Sequence, residues 1–179
     1  MLEVEIKAKI DNKDEILTKI DDELNAGYVC DEIQHDIYFN APDKDYRKTD
    51  EALRIRYTSC ANNDFKILTY KGSRLDKKTK TREEIEVNVD NIKNMILILE
   101  KLGFKKSAEV DKNRVIFEYK EFNIAVDSLK KIGDYMEIES IVEDDVDIEE
   151  VQNNIFDLFN KLGITDGFEK RSYLELLES

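Results

Sequence analysis

The sequence predicts an α+β, mainly β fold: a closed eight-stranded antiparallel β-barrel with helices packed outside. Three observations carry this expectation. About eight segments alternate apolar and polar residues with period two. Most of them are joined by short turns, which favours antiparallel meander pairing. The polar positions of these segments are nearly all ionisable, and 39% of the 179 residues are charged, well above the usual share of about a quarter.

The strands are expected at 2–10, 33–39, 52–59, 66–71, 82–89, 108–119, 123–128 and 134–142. Three amphipathic helices interrupt them. The first spans 12–26, with Ile16, Leu17, Ile20 and Leu24 on one stripe and Gly27 past its end. The second follows Asp90 as N-cap, carries Ile92, Met95, Ile96, Leu99 and Leu102, and stops at Gly103. The third starts near Asp147, carries Val151, Ile155, Leu158, Phe159 and Leu162, and stops at Gly163. Each shows i, i+3/i+4 apolar spacing with a polar cap and a C-terminal glycine. The second and third end alike, in Lys101-Leu102-Gly103 and Lys161-Leu162-Gly163, a hint of two related halves. Segments 43–50 and 73–80 read as solvated loops or lids.

Composition bounds the function. The apolar share of 41%, one Pro and six Gly fit one folded domain over 1–179 and argue against disorder. A net charge of −13 argues against general nucleic-acid binding, which needs a basic face. No apolar stretch approaches membrane-spanning length, and the chain begins at once with alternating charge. A cytoplasmic protein is expected, with no nucleic-acid or membrane partner. Cys30 and Cys60 lie thirty positions apart and outside any CxxC, so two reduced thiols are expected.

The ionisable face decides where the charge goes. Leu2, Val4 and Ile6 oppose Glu3, Glu5 and Lys7; Leu53 and Ile55 oppose Arg54 and Arg56; Ile85 and Val87 oppose Arg82, Glu84 and Glu86. Lys71, Lys112, Arg114, Asp127, Glu137 and Glu139 follow the same rule on later strands. For one strand, a solvated outer face explains this pattern. Across eight strands, sheet closure turns the charged face into a wet lumen, since unpaired buried charge is costly. Arginines and lysines at several heights suit a chain of phosphates. Clustered carboxylates suit Mg²⁺ or Mn²⁺, which keep waters and take substrate phosphates as further ligands.

The motif order resembles a known family. Glu3-Val4-Glu5-Ile6-Lys7 resembles the N-terminal ExExK signature of the CYTH superfamily, the triphosphate tunnel metalloenzymes. His35-Asp36-Ile37-Tyr38-Phe39, Leu53-Arg54-Ile55-Arg56, Thr69-Tyr70-Lys71-Gly72 and Arg82-Glu83-Glu84-Ile85-Glu86 resemble the following strands of its class IV adenylyl cyclase-like group. Lys112-Asn113-Arg114, Asp127-Ser128-Leu129, Tyr135-Met136-Glu137-Ile138-Glu139 and Arg171-Ser172-Tyr173 resemble its C-terminal half. Asn40 stands where many relatives carry an acidic residue.

The resemblance implies an eight-stranded tunnel and an enzyme. Metal ligands would be Glu3, Glu5, Asp127, Glu137 and Glu139, holding Mg²⁺ or Mn²⁺. Lys7, Arg54, Arg56, Lys71, Arg82, Lys112 and Arg114 would hold the triphosphate, with Arg171 closing one mouth. From the chemistry of the residues themselves, Glu84, Glu86 and Glu139 are candidates to orient an attacking water, and Lys7, Glu84 and Glu86 form the expected catalytic set. Known members cyclise ATP to cyclic AMP or hydrolyse thiamine triphosphate or inorganic tripolyphosphate, so the expected partner is one of these triphosphates; a homodimer is compatible with the chain. The alternative is a nucleotide- or polyphosphate-binding module without catalysis. His35 reads as a surface contact, and Tyr119, Phe122, Tyr135 and Tyr173 as packing before base stacking.

Overall fold

The computed structural model describes residues 2–61, 63–74, 82–143 and 146–179. All eight expected strands are there: β1 (Leu2–Ile10), β2 (Gly27–Asn40), β3 (Ala52–Cys60), β4 (Asn63–Lys71), β5 (Arg82–Asn88), β6 (Lys105–Tyr119), β7 (Phe122–Leu129) and β8 (Gly133–Val142). They close into a barrel in the order β1-β5-β4-β3-β2-β6-β7-β8, every pair antiparallel. The barrel departs from a simple meander. Helix α1 (Lys13–Lys19) separates β1 from β2, so β1 pairs instead with β8 over nine positions and with β5 at Leu2 and Glu3. The long strands β2 and β6 join the two meanders.

The helices sit outside, as their apolar stripes require. Asn12 caps α1 by accepting from the Glu15 N–H, and the helix widens through Ile20–Leu24 before Asn25 ends it in the left-handed region. Gly27 therefore opens β2 rather than closing the helix. The stripe Ile16, Ile20 and Leu24 packs with Ile155, Leu158, Phe159 and Leu162 of α4 (Ile148–Lys161) onto Val4, Ile6, Ile124, Val126, Met136 and Ile138. Helix α3 (Ile92–Lys101) places Leu99 against Ile37, Phe39, Leu53 and Ile55. Its cap is Asn91, one residue later than expected, because the Asn91 side-chain Oδ1 accepts from the Asn94 N–H at 3.0 Å. Both α3 and α4 end in the same hydrogen-bonded motif: Gly103 N–H to Glu100 and Phe104 N–H to Leu99, and Gly163 N–H to Asn160 and Ile164 N–H to Phe159.

Two short helices were not expected. Helix α2 (Tyr46–Thr49) lies in the 43–50 loop, where Asn40 accepts from the Tyr46 N–H at 2.7 Å and donates to Asp45 at 3.2 Å. Helix α5 (Tyr173–Glu178) opens with a capping box between Ser172 and Glu175. It packs Tyr173 and Leu176 against Val110, Leu129 and Tyr135 at one end of the barrel. Of the other proposed lid, 73–80, all but Ser73 and Arg74 lies outside the described residues.

Cys30 and Cys60 correct the expectation of two reduced thiols. They form a disulfide between β2 and β3, with Cα atoms 6.3 Å apart. Strand β2 begins six residues earlier than the apolar alternation suggests. That extension carries Cys30 beside the end of β3, where Glu32 and Cys60 are register partners. Among the described residues, no helix is long and apolar enough to cross a membrane.

Gly103 tests the helix ending. Its φ is +93°, and an added Cβ would lie 3.0 Å from the Cβ of Pro42. Gly103→Ala is expected to cost ~1–2 kcal/mol, lowering Tm by about 3–6 °C. A Tm at or above that of the wild type would contradict this reading of the turn.

Candidate active site

Alternation along a closed barrel sends every second side chain inward. Arg54 and Arg56 on β3 meet Asp36 on β2. Arg56 grips Asp36 with two hydrogen bonds of 2.7 Å, and Arg54 stands 3.6 Å away. Asp36 is 2% exposed. Burial pushes its carboxyl up, but Arg56 and Arg54 outweigh burial and hold it well below the usual carboxylate range. Arg56 is raised in turn, the attraction of Asp36 exceeding the penalty of burial.

Around the barrel, Lys71 on β4 lies 2.8 Å from Glu84 and 3.4 Å from Glu3. Its ammonium is pulled below the ordinary lysine range by burial, with Glu3 opposing that shift. Arg54 reaches Glu84 at 3.9 Å and Glu86 at 4.0 Å, and Thr69 donates to Glu86 at 2.8 Å. On the opposite wall, Arg114 donates twice to Asp127, at 2.6 and 2.5 Å, and also to Glu137. Lys112 approaches Asp127 at 3.4 Å, and burial together with Arg114 lowers its pKa to about 8. The Tyr173 hydroxyl from α5 donates to Asp127 at 2.7 Å.

Three carboxylates converge between these walls. Glu3, Glu5 and Glu139 each offer an oxygen within 4.8 Å of the others. Burial, and next the charge of Glu3, raise the Glu139 carboxyl to about 7. Buried like charges at this spacing favour a cation among them. The donors are all hard oxygens, so the set fits Mg²⁺ or Mn²⁺ with remaining positions for water and phosphate oxygens.

The lumen thus brings Glu3, Glu5, Arg54, Arg56, Lys71, Glu84, Lys112, Arg114, Asp127, Glu137 and Glu139 into one interior. Some of the expected set stand apart from their expected partners. Asp127 and Glu137 engage Arg114 rather than the Glu3–Glu5–Glu139 group. Arg82 is the register partner of Glu3 and donates to the Gly72 carbonyl at 3.4 Å. Glu86 is half exposed at the edge of the site. Lys7, 1% exposed, donates to the Arg171 carbonyl at 2.6 Å and lies 3.9 Å over the Tyr173 ring. Arg171 itself turns its guanidinium outward onto Glu169, at 2.6 Å, so its backbone rather than its charge reaches the lumen. His35 lies on the surface and meets Asp111 at 2.6 Å.

Asp36, Gln34 and Tyr173 adjoin the site, as the partner of Arg56, the register partner of Lys112 and the donor to Asp127; the first two were not among the candidates, and Tyr173 was read as packing before base stacking. For the first two the signal was present: Ile33, Ile37 and Phe39 alternate outward, which turns Gln34 and Asp36 inward. Tyr173 gave no such signal, because its place depends on how α5 folds back.

Known proteins share this architecture. The CYTH domain family matches residues 1–173, and the chain belongs to that family. A Methanocaldococcus jannaschii relative named "Putative adenylate cyclase" is 38% identical over 177 residues, covering 98% of each chain. The Aeromonas hydrophila adenylate cyclase CyaB is 25% identical over 178 residues, 98% of this chain and 88% of its own. A solved Pyrococcus horikoshii protein superposes with a TM-score of 0.91 at 38% identity, over 98% of both chains.

Lys71 tests the cation wall. A phosphate chain long enough to reach it gains a charge-assisted contact that a single phosphate does not. Lys71→Ala is expected to weaken tripolyphosphate binding by ~1.5–3 kcal/mol while leaving orthophosphate binding nearly unchanged. Equal calorimetric losses for both ligands would contradict a ladder of phosphate contacts.

Proposed function

We propose that this protein is a Mg²⁺- or Mn²⁺-dependent enzyme that binds a triphosphate in its lumen and cleaves it by hydrolysis. The observation that carries the reading is the meeting, in one closed interior, of buried cations with an adjoining cluster of hard oxygen donors. Arg54, Arg56, Lys71, Lys112 and Arg114 offer contacts along the length of a phosphate chain. Glu3, Glu5 and Glu139 would hold the metal, which supplies charge neutralisation at the phosphate oxygens when bound.

Positioning and charge neutralisation are most of what phosphoryl transfer requires. In hydrolysis, a water oxygen forms a bond to the terminal phosphorus while the bridging anhydride bond breaks. The water proton passes to a base, and orthophosphate and the shortened chain leave. Glu84 is held by Lys71 and Arg54, whereas Glu86 is half exposed beside Arg54. Glu86 is therefore the better placed of the two to orient that water. The side chains named along the lumen are mostly charged, which suits a phosphate chain directly.

A second reading is cyclisation of ATP: the ribose 3′-oxygen attacks the α-phosphorus, its proton leaves, and pyrophosphate departs. The adenylate cyclase names of the two relatives favour it.

Product identification separates the readings. The protein is incubated with ATP, tripolyphosphate or thiamine triphosphate, with and without Mg²⁺ or Mn²⁺. We expect metal-dependent orthophosphate release, with tripolyphosphate hydrolysed at least as fast as ATP is cyclised. Glu5→Gln is expected to lower the rate about 100-fold or more while the circular dichroism spectrum stays native. Robust cyclic AMP formation without orthophosphate would replace hydrolysis by cyclisation. Full activity of Glu5→Gln at saturating Mg²⁺ would remove Glu5 from the metal site.

A further inference from the structure

One inward-facing side chain on β2 has chemistry that phosphate cannot use. Gln34 is 4% exposed, with Lys112 on β6 and Thr58 on β3 as its register partners. Its Nε2 donates to the Glu32 carboxylate at 2.5 Å. That bond fixes which way the amide points, because the reverse orientation would set the amide oxygen against a carboxylate. Oε1 is left buried without a hydrogen-bond partner. Among the described residues just one other buried side-chain polar atom shares that condition, Nε of Arg54.

A buried, unmet acceptor is costly and calls for a donor. Phosphate oxygens are acceptors, so a phosphate placed there would be repelled. The partner must carry an N–H or an O–H. The position says which part of a ligand that is. Gln34 is one inward step from the Asp36–Arg56 pair, on the side leading to Cys30 and Cys60. At the other end of the barrel, Val110, Leu129, Tyr135, Tyr173 and Leu176 pack together. A triphosphate held by Arg56 and Lys112 would thus carry any attached group past Gln34 toward the end of the barrel where the disulfide joins β2 and β3.

We propose that Gln34 is a specificity-determining residue: its Oε1 accepts a hydrogen bond from an N–H or O–H donor on the organic part of a triphosphate ester, such as the base or sugar of a nucleoside triphosphate. The inference rests on the triphosphate reading above and deepens it, since an inorganic chain has no such donor. Glu32 acts as the positioning residue, holding the amide so that the oxygen faces the lumen.

The test compares Gln34→Met with the wild type for binding of ATP and of inorganic tripolyphosphate at one metal concentration. Methionine keeps the length of the side chain and removes the acceptor. We expect the Kd for ATP to rise about three- to tenfold, with that for tripolyphosphate unchanged. In wild-type protein, which needs no variant to fold, ATP analogues lacking the 6-amino group or a ribose hydroxyl supply the complementary arm. At least one should bind more weakly than ATP by a similar factor. Equal losses for both ligands in Gln34→Met would assign Gln34 a structural role and overturn this inference alone. Unchanged ATP affinity, or analogues that all bind like ATP, would mean that water satisfies the oxygen, and would overturn it as well. A wild-type protein that binds no triphosphate would overturn the triphosphate reading and this inference together.

Discussion

Closing eight strands into a barrel leaves the ionised side chains of the inner face with little but one another for company. Each would be costly to bury alone, so closure demands that the lumen approach neutrality from within. The structure meets that demand in three groups. Asp36 serves Arg56 and Arg54; Glu3 and Glu84 serve Lys71; Asp127 and Glu137 serve Arg114, with Lys112 alongside. The apolar outer faces then hold the barrel shut through α1, α3 and α4. Outside packing and inside pairing are two results of the same alternation.

This neutrality has a consequence for binding. A triphosphate that takes Lys71, Arg54 or Arg56 must displace Glu3, Glu84 or Asp36 from them. The displaced carboxylates, together with the new phosphate charge, then need cations. Glu3 belongs both to the Lys71 pair and to the cluster with Glu5 and Glu139. A metal at that cluster neutralises the carboxylate that the phosphate releases. On the proposed function, anion and metal would therefore be linked, each strengthening the other by the same factor. In this account the internal ion pairs keep a highly charged lumen folded while no ligand is present.

Much of this was legible in the sequence. All eight strands, three of the helices and most of the lumen follow from period-two and period-3.6 patterns in 179 residues. What escaped did so for identifiable reasons. The closing role of β1 is a long-range pairing that no local pattern encodes. Residues 27–32 alternate poorly, which hid the start of β2 and with it the meeting of Cys30 and Cys60. Helix α5 spans six residues, too few for a periodic signal, yet it brings Tyr173 onto Asp127. Asp36 and Gln34 were readable from the outward alternation of Ile33, Ile37 and Phe39. Neither belongs to a repeated run of charge: Asp36 is a lone carboxylate that balances two arginines, and Gln34 is uncharged. Arg171 shows how far a motif reaches: a basic residue in a matching motif, whose carbonyl rather than guanidinium faces the site.

The linkage between metal and anion is the most direct test of the account. Tm would be measured for the protein alone, with Mg²⁺, with a non-hydrolysable imido analogue of tripolyphosphate, and with both in excess. Ligands that bind the folded state raise Tm according to their affinity. The account predicts that the two together raise Tm by more than the sum of their separate shifts. It also predicts that Glu5→Gln removes the excess while keeping part of the shift from the anion. Strictly additive shifts in the wild type would contradict a lumen in which metal and triphosphate neutralise each other's displaced partners.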